Sequence, residues 1–246
     1  MHDHVVARDL SKSFDGTRAV GHVDLTVPAG QRVGIVGPNG AGKTTTLLMI
    51  LGAIAPDTGS VDLIGHRLPE GRSRAMTRVG FAAGYLPLPG KLKVREALHF
   101  FADLHDHPDP EADVERVLEE LHIAHIAKQS CESLSSGQQT LVGVAKAVVH
   151  RPSLVVLDEP TASLDPDVAL RVRDQLVALN RDHATTLLLT SHDMREVEAL
   201  TERVVFLRSG QVLADGPPKA VVADSGHESL EEMFLSEAER MRGQRL

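Results

Sequence analysis

The chain has 246 residues, 42% of them hydrophobic, which suffices for one large α/β core or a core with a subdomain attached and argues against two independent domains. A formal net charge of −8 with no Lys/Arg cluster lacks the electrostatic footprint of a dedicated nucleic-acid binder, so any affinity for phosphate is local and no nucleic acid is expected as a partner. One cysteine, Cys131, excludes an internal disulfide framework. It fits a reducing cytoplasm and reads as a small packing residue.

No apolar run approaches the roughly 18 residues of a membrane span, and Met1-His2-Asp3-His4 has no charged-then-apolar leader layout, so a soluble chain is expected. Residues 5–10 and 22–27 alternate as strands around the turn dipeptide Asp15-Gly16, predicting a small antiparallel piece. The apolar run 32–36 reads as a buried strand. After it comes Gly37-Pro38-Asn39-Gly40-Ala41-Gly42-Lys43-Thr44, which fits G-x-x-x-x-G-K-[ST] at every fixed position, and then a helix over 43–52. Such a loop must turn sharply for successive N–H groups to converge on phosphate oxygens, and Gly37, Gly40 and Gly42 permit that turn. The helix start adds its positive dipole end, Lys43 reaches the β- and γ-phosphates, and the Thr44 hydroxyl is placed to ligate Mg²⁺. Thr45 completes this nucleotide-binding set.

The turn Ala55–Gly59, a strand over 60–64 and a short strand Val79–Ala82 follow. From about 86 to 150 the period becomes helical. Val94, Leu98, Phe101 and Leu104 share one face, Val114, Val117, Leu118 and Leu121 another, and Asp109-Pro110-Glu111 starts the second helix. The cluster His99, His105, His107 lacks a Cys/His ligand framework and reads as solvated surface. Leu154–Leu157 and Thr186–Thr190 are continuous apolar runs of a parallel sheet covered on both faces. The first ends in Asp158-Glu159, at the strand edge where α/β sheets bind ligands. Asp158 is placed to hold Mg²⁺ through water, and Glu159 to polarise a water for attack on the γ-phosphate. Two acids after an apolar strand are also an ordinary solvated strand end. A hairpin around Ser209-Gly210 joins 204–207 to 211–214, two short helices close the chain, and the polar tail 240–246 is expected to fray.

Leu134-Ser135-Ser136-Gly137-Gln138 begins a helix running through Val142 and Ala145, and small residues at a helix N-terminus make a second anion site. Ser135 or Ser136 is equally suited to cap that helix. Together with Gly37–Thr44, Asp158-Glu159, Ser163-Leu164-Asp165 and Ser191-His192-Asp193, in that family's order, the run resembles ATP-binding cassette proteins over nearly the whole chain. The resemblance is to the ATP-binding subunit of a transporter, of the branch serving export-type permeases. It implies an α/β fold: a P-loop NTPase core with a mostly parallel sheet, an N-terminal antiparallel β subdomain and an inserted α-helical subdomain. The expected boundaries are one cassette over 1–226, with 86–150 as the insertion, and a helical tail over 227–246.

The resemblance further implies that two cassettes pair head to tail, with Ser135, Ser136, Gly137 and Gln138 of one facing the γ-phosphate on the other. Asp165 resembles the acid of the loop that crosses the dimer interface. His192 resembles the histidine that bonds the γ-phosphate and orients the water, and Phe14 the ring against adenine. ATP and Mg²⁺ are the implied cofactors. A transmembrane permease, meeting the surface of Tyr85–Arg95 and helix 94–105, and a second cassette are the implied partners, which places the chain on the inner face of the cell membrane. Two departures stand out. The family's Gln after the strand at 79–83 is replaced by Gly84-Tyr85, and Ser136 stands where Gly is commoner, so slow or partner-dependent hydrolysis is expected. The alternatives are a soluble cassette acting on ribosomes or DNA and a binding-only regulatory module.

Overall fold

A computed structural model describes residues 2–84, 86–105, 108–162 and 164–243. The readings that concern Met1, Tyr85, His107, Ser163 and the end of the tail at 244–246 lie outside the described residues.

The chain opens with a hairpin of β1 (Asp3–Phe14) and β2 (Thr17–Pro28). Asp15 and Gly16 both have positive φ, 47° and 79°, as a two-residue hairpin turn matching strand twist requires. Both strands run well beyond the expected 5–10 and 22–27. Asp9 and His22 sit at positive φ where the register shifts, and these bulges break the alternation that marks a strand in sequence. β3 (Arg32–Val36) leads through the glycine loop into α1 (Lys43–Ile50). β4 (Thr58–Leu63) and the short β5 (His66–Arg67) pair onto the hairpin, giving a four-stranded antiparallel sheet ordered β2-β1-β4-β5. α2 (Arg72–Met76) then precedes β6 (Val79–Ala83).

The helical segment contains α3 (Val94–Asp103), α4 (Pro110–Glu120) and α5 (Ser136–Val148), with single 3₁₀ turns at Ala124–Ile126 and Cys131–Ser133. Asp109 caps α4 by accepting the Ala112 N–H, and Val94, Leu98, Val114, Val117, Leu118 and Val142 are buried among themselves. Leu104 departs from the expected face. It is the C-cap of α3, still in helical conformation with its N–H donated to Phe100 O at 3.1 Å, yet it is 64% exposed, because the helix end projects past the core. The histidine cluster also differs from free solvated surface: His99 Nε2 meets Glu111 at 2.5 Å, and the His105 ring stacks on buried His150 with centroids 3.6 Å apart. Cys131 is buried, and burial pushes its thiol pKa up, as a packing residue requires.

β7 (Leu154–Asp158), α6 (Pro166–His183), β8 (Thr186–Ser191), α7 (Met194–Leu200), β9 (Arg203–Arg208) and β10 (Gln211–Gly216) complete a six-stranded sheet ordered β10-β9-β3-β8-β7-β6, parallel except for β10. Every residue of β7 and β8 is buried, the expectation for strands covered on both faces. α6, eighteen residues long, has no counterpart in the sequence reading, because it buries only Val172, Leu176 and Asn180 and so shows a thin apolar stripe. Its start signal, Asp165 followed by Pro166 and Asp167, was legible. α8 (Pro218–Ser225) is short, but α9 (Leu230–Gly243) has fourteen residues and seats Leu230 and Met233 against Val36, Phe206 and Val221.

α5 crosses β6 at minimum distance. A Cβ on Gly80 would lie 1.8 Å from the Ala147 carbonyl oxygen, a backbone atom that cannot swing aside. We expect Gly80→Ala to destabilise the chain by at least ~3 kcal/mol, read as a lower denaturant midpoint; unchanged stability would mean that helix and strand separate freely.

Candidate functional site

The glycine loop leaves the C-terminal edge of β3, a central strand flanked by β8 and β9. Its close packing shows why the fixed glycines are glycines. A Cβ on Gly37, at φ 146°, would sit 2.2 Å from Leu207 O, and one on Gly42, at φ 100°, 2.6 Å from Ala19 O. Gly210, read from sequence only as a hairpin turn, belongs to the same assembly. Its N–H donates to Ala41 O at 3.0 Å, its carbonyl accepts from Gly21 N–H at 2.8 Å, and its Cβ would lie 2.6 Å from Ala19 O. The β9–β10 turn therefore braces the loop from behind.

Lys43 is buried at the start of α1, and its Nζ donates to the carbonyls of Gly37 at 2.7 Å and Pro38 at 3.3 Å. Burial lowers its pKa below the ordinary lysine value, while the Glu159 and Asp158 carboxylates oppose that shift. Thr44 Oγ1 donates to Asp158 Oδ2 at 3.1 Å, and Thr190 Oγ1 donates to Asp158 Oδ1 at 2.5 Å. Glu159 turns out of β7 at φ 55° with its N–H donated to Thr190 Oγ1 at 3.0 Å, and its Oε2 lies 2.5 Å from His192 Nδ1. Asn39, Gly40, Ala41, Gly42, Lys43, Thr44, Thr45, Gly84, Asp158, Glu159 and Ala162 line one open cleft of 510 Å³. Thr190 is buried in an apolar strand and was passed over in the sequence, although a hydroxyl in such a run requires a partner.

Ser135 is the N-cap of α5. Its Oγ accepts the Gln138 N–H at 3.3 Å, and its own N–H donates to Gln138 Oε1 at 3.0 Å, a reciprocal capping box. Ser135, Ser136, Gly137 and Gln138 line a second cleft of 340 Å³ together with Asp165, Arg171, His122 and His125. The two clefts share no lining residue. One chain thus brings Lys43, Thr44, Asp158, Glu159 and His192 together, while the serine-tipped helix and Asp165 line a separate cleft; Ser136 also shares a small cavity with Gly84 and Pro160. Phe14, 45% exposed at the end of β1, lines neither of these clefts; Lys12 Nζ stands 5.7 Å from its ring centroid.

Two sheets, a glycine cradle over the parallel edge and a helical insertion define a P-loop ATPase cassette. The family model described as "ABC transporter" matches residues 20–162. The lipopolysaccharide export system ATP-binding protein LptB of Escherichia coli (strain K12) is 32% identical over 96% of this chain and 99% of its own length. The Nod factor export ATP-binding protein I of Burkholderia lata is 35% identical over 87% of this chain and 71% of its own length. A solved ATP-binding subunit of an ABC transporter superposes with a TM-score of 0.84 at 27% identity, covering 94% of this chain and 98% of that one. The chain belongs to the ABC transporter family, as an ATP-binding and ATP-hydrolysing cassette subunit.

Two outcomes follow from this geometry. Gly210→Ala should weaken ATP binding at least about tenfold in a calorimetric titration by pushing Ala19 and Ala41 off the cradle; wild-type affinity would remove the brace. A bound triphosphate favours the charged form of Lys43, so its pKa is higher bound than free. ATP affinity should be full below the free-state pKa, fall as pH rises through it and level off above the bound-state pKa. Calorimetry in buffers of differing ionisation heat should register proton uptake at alkaline pH, and equal heats would exclude this linkage.

Proposed function

We propose that this chain is the motor of an export-type transporter, working as one of two cassettes that close head to tail over two Mg-ATP. The observation that carries this reading is the separation of the clefts: the phosphate-binding half and the serine-tipped helix of one chain line different clefts with no described residue in common, and a second copy or near-copy supplies the missing half of each site. On this reading Gly37–Thr45 cradle the phosphates, with Pro38, Asn39 and Ala41 giving backbone and Lys43 its charge. Ser135–Gln138 of the opposite cassette meet the γ-phosphate through the helix N-terminus. Asp165 lies at the junction of the two halves, and Phe14 offers its face to the adenine.

Thr44 and Asp158 form a hard oxygen pair suited to Mg²⁺. No group of three or more His, Cys, Asp or Glu side chains that could hold a metal occurs among the described residues, as suits an ion held largely by phosphate and water. When bound, the ion would neutralise charge on the phosphates. Asp158, already accepting two hydroxyls, serves as ligand. Glu159, whose carboxylate bonds to His192, is the base that takes a proton from the attacking water, and His192 holds that water and the γ-phosphate in line. Gly84 lines the cleft with no side chain, so orientation of the water falls to Glu159 and His192.

No described helix is long and apolar enough to cross a membrane. On this reading, as for relatives named as ATP-binding subunits of export systems, the transport path belongs to a separate permease. The surface of residues 86–95 and α3 is its docking face, and the chain sits on the inner face of the cell membrane through it. Residues 1–226 act as one cassette, with 86–150 as the arm presenting the serine-tipped helix and 227–246 as a tail.

Glu159→Gln should lower turnover by about 10²–10³-fold while keeping ATP binding, and should accumulate a nucleotide-bound dimer visible by light scattering. Wild-type turnover would remove Glu159 as the base, and a strictly monomeric ATP complex would remove the head-to-tail engine.

A further inference from the structure

Glu196 is a half-buried acid that none of the roles above uses. It stands in the first turn of α7, three residues after the N-cap Asp193, which accepts the N–H groups of Arg195 at 2.9 Å and Glu196 at 3.3 Å. At that spacing a glutamate ordinarily turns back to the N-cap N–H. Here Ser191 intervenes: its Oγ accepts the Asp193 N–H at 3.1 Å and donates to Glu196 Oε2 at 2.6 Å. The second carboxylate oxygen is free for another task and accepts the hydroxyl of Thr161.

Helix capping has no need of Thr161. That residue lies two positions after Glu159, in the loop running to Asp165, and its carbonyl accepts the Leu164 N–H at 3.0 Å. Leu164 in turn stands against the signature helix, where a Cβ on Gly137 would meet Leu164 Cδ2 at 3.5 Å. One side chain therefore bridges the strand end that carries His192 and the loop that runs from Glu159 to the serine-tipped helix.

We propose that Glu196 is a positioning residue for hydrolysis, clamping the His192 strand end and the 160–165 loop into one unit so that the two halves of the composite site move together. The proposal rests on the head-to-tail reading, because only there does the 160–165 loop meet a partner's nucleotide. Burial raises the Glu196 pKa, with the Asp193 and Glu159 carboxylates adding to the shift, whereas the hydroxyls of Ser191 and Thr161 oppose it. A buried acid that receives two hydroxyls is over-determined in geometry, which is what a clamp needs.

Thr161→Val removes the loop arm and leaves the Ser191–Asp193 cap intact, so it separates clamping from helix stability. In the full chain it should lower kcat about tenfold at unchanged KM for ATP and unchanged Tm. In the Glu159→Gln background it should weaken ATP-dependent dimerisation by a similar factor while single-chain ATP binding is unchanged. Glu196→Ala should reduce kcat at least as much. Combining it with Thr161→Val should add nothing further, as expected for two partners of one bond. Glu196→Gln, which keeps one acceptor oxygen, should recover part of the activity. Wild-type kcat and dimer affinity in Thr161→Val would overturn the proposal, as would losses in that variant that track a lowered Tm or full additivity in the double variant. If instead Glu159→Gln alone turns over normally, or forms no dimer under any condition, the head-to-tail reading fails first and the two failures are told apart.

Discussion

The register of three neighbouring parallel strands sets everything at the nucleotide end of this molecule. Val36 of β3 pairs with Ser191 of β8, and Asp158 of β7 pairs with Thr190, so the three chains leave the sheet within one residue of the same line. The glycine loop, Glu159 and His192 all emerge from that edge. A one-residue slip would turn Asp158 to the opposite face and break its bonds from Thr44 and Thr190. Slippage is resisted because β7 and β8 are apolar and buried throughout, each large side chain contributing about 1.5–3 kcal/mol by leaving water. The hydrophobic pattern of the strands thus fixes the positions of charged groups that contribute nothing to that pattern.

That edge concentrates charge of both signs in a chain of net charge −8. A buried ammonium beside two carboxylates would gain little by itself, since burial disfavours its charged form. The arrangement gains its sense from the anion it is shaped to receive. Backbone N–H groups and the dipole of α1 bring positive potential without mobile charges, which explains how an acidic protein accommodates a polyanion without a basic surface. The two acids are held apart in role by their surroundings. Asp158 accepts the hydroxyls of Thr44 and Thr190, whereas the carboxylate of Glu159 is bonded to the His192 imidazole at the cleft.

How far the sequence revealed this depends on how local each signal was. The glycine loop, Asp158 and the serine cap were legible because each sits at an element boundary with its own stereochemical demand: positive φ, a strand end, a capping hydroxyl. The parallel strands were legible from continuous apolar runs. α6 was not, because a helix resting one narrow stripe on the sheet leaves mostly polar sequence. Thr190, Gly210, Thr161 and Glu196 were beyond reach for another reason. Their partners lie 31 or more residues away in sequence or, for Ser191 and Glu196, inside a helix cap that looks ordinary, and no pattern within a single element records a bond across the sheet edge.

The departures from the family pattern look different once the space around them is known. Gly84 is not a glycine for steric reasons: a Cβ there would meet nothing within 4 Å. A side chain can therefore start there, and the absence of one at residue 84 is not imposed by its surroundings. Gly137 likewise would place a Cβ only in ordinary contact with Leu164, so that glycine is not demanded by lack of room either. Both groups proposed to act on the attacking water are tied to the end of β8: the Glu159 N–H donates to the Thr190 hydroxyl, and His192 follows Ser191, whose hydroxyl donates to Glu196. On the proposed mechanism, positioning of the water then depends more on the end of β8 than on the segment leading to the helical arm, because the bonds that fix both groups start from that strand end.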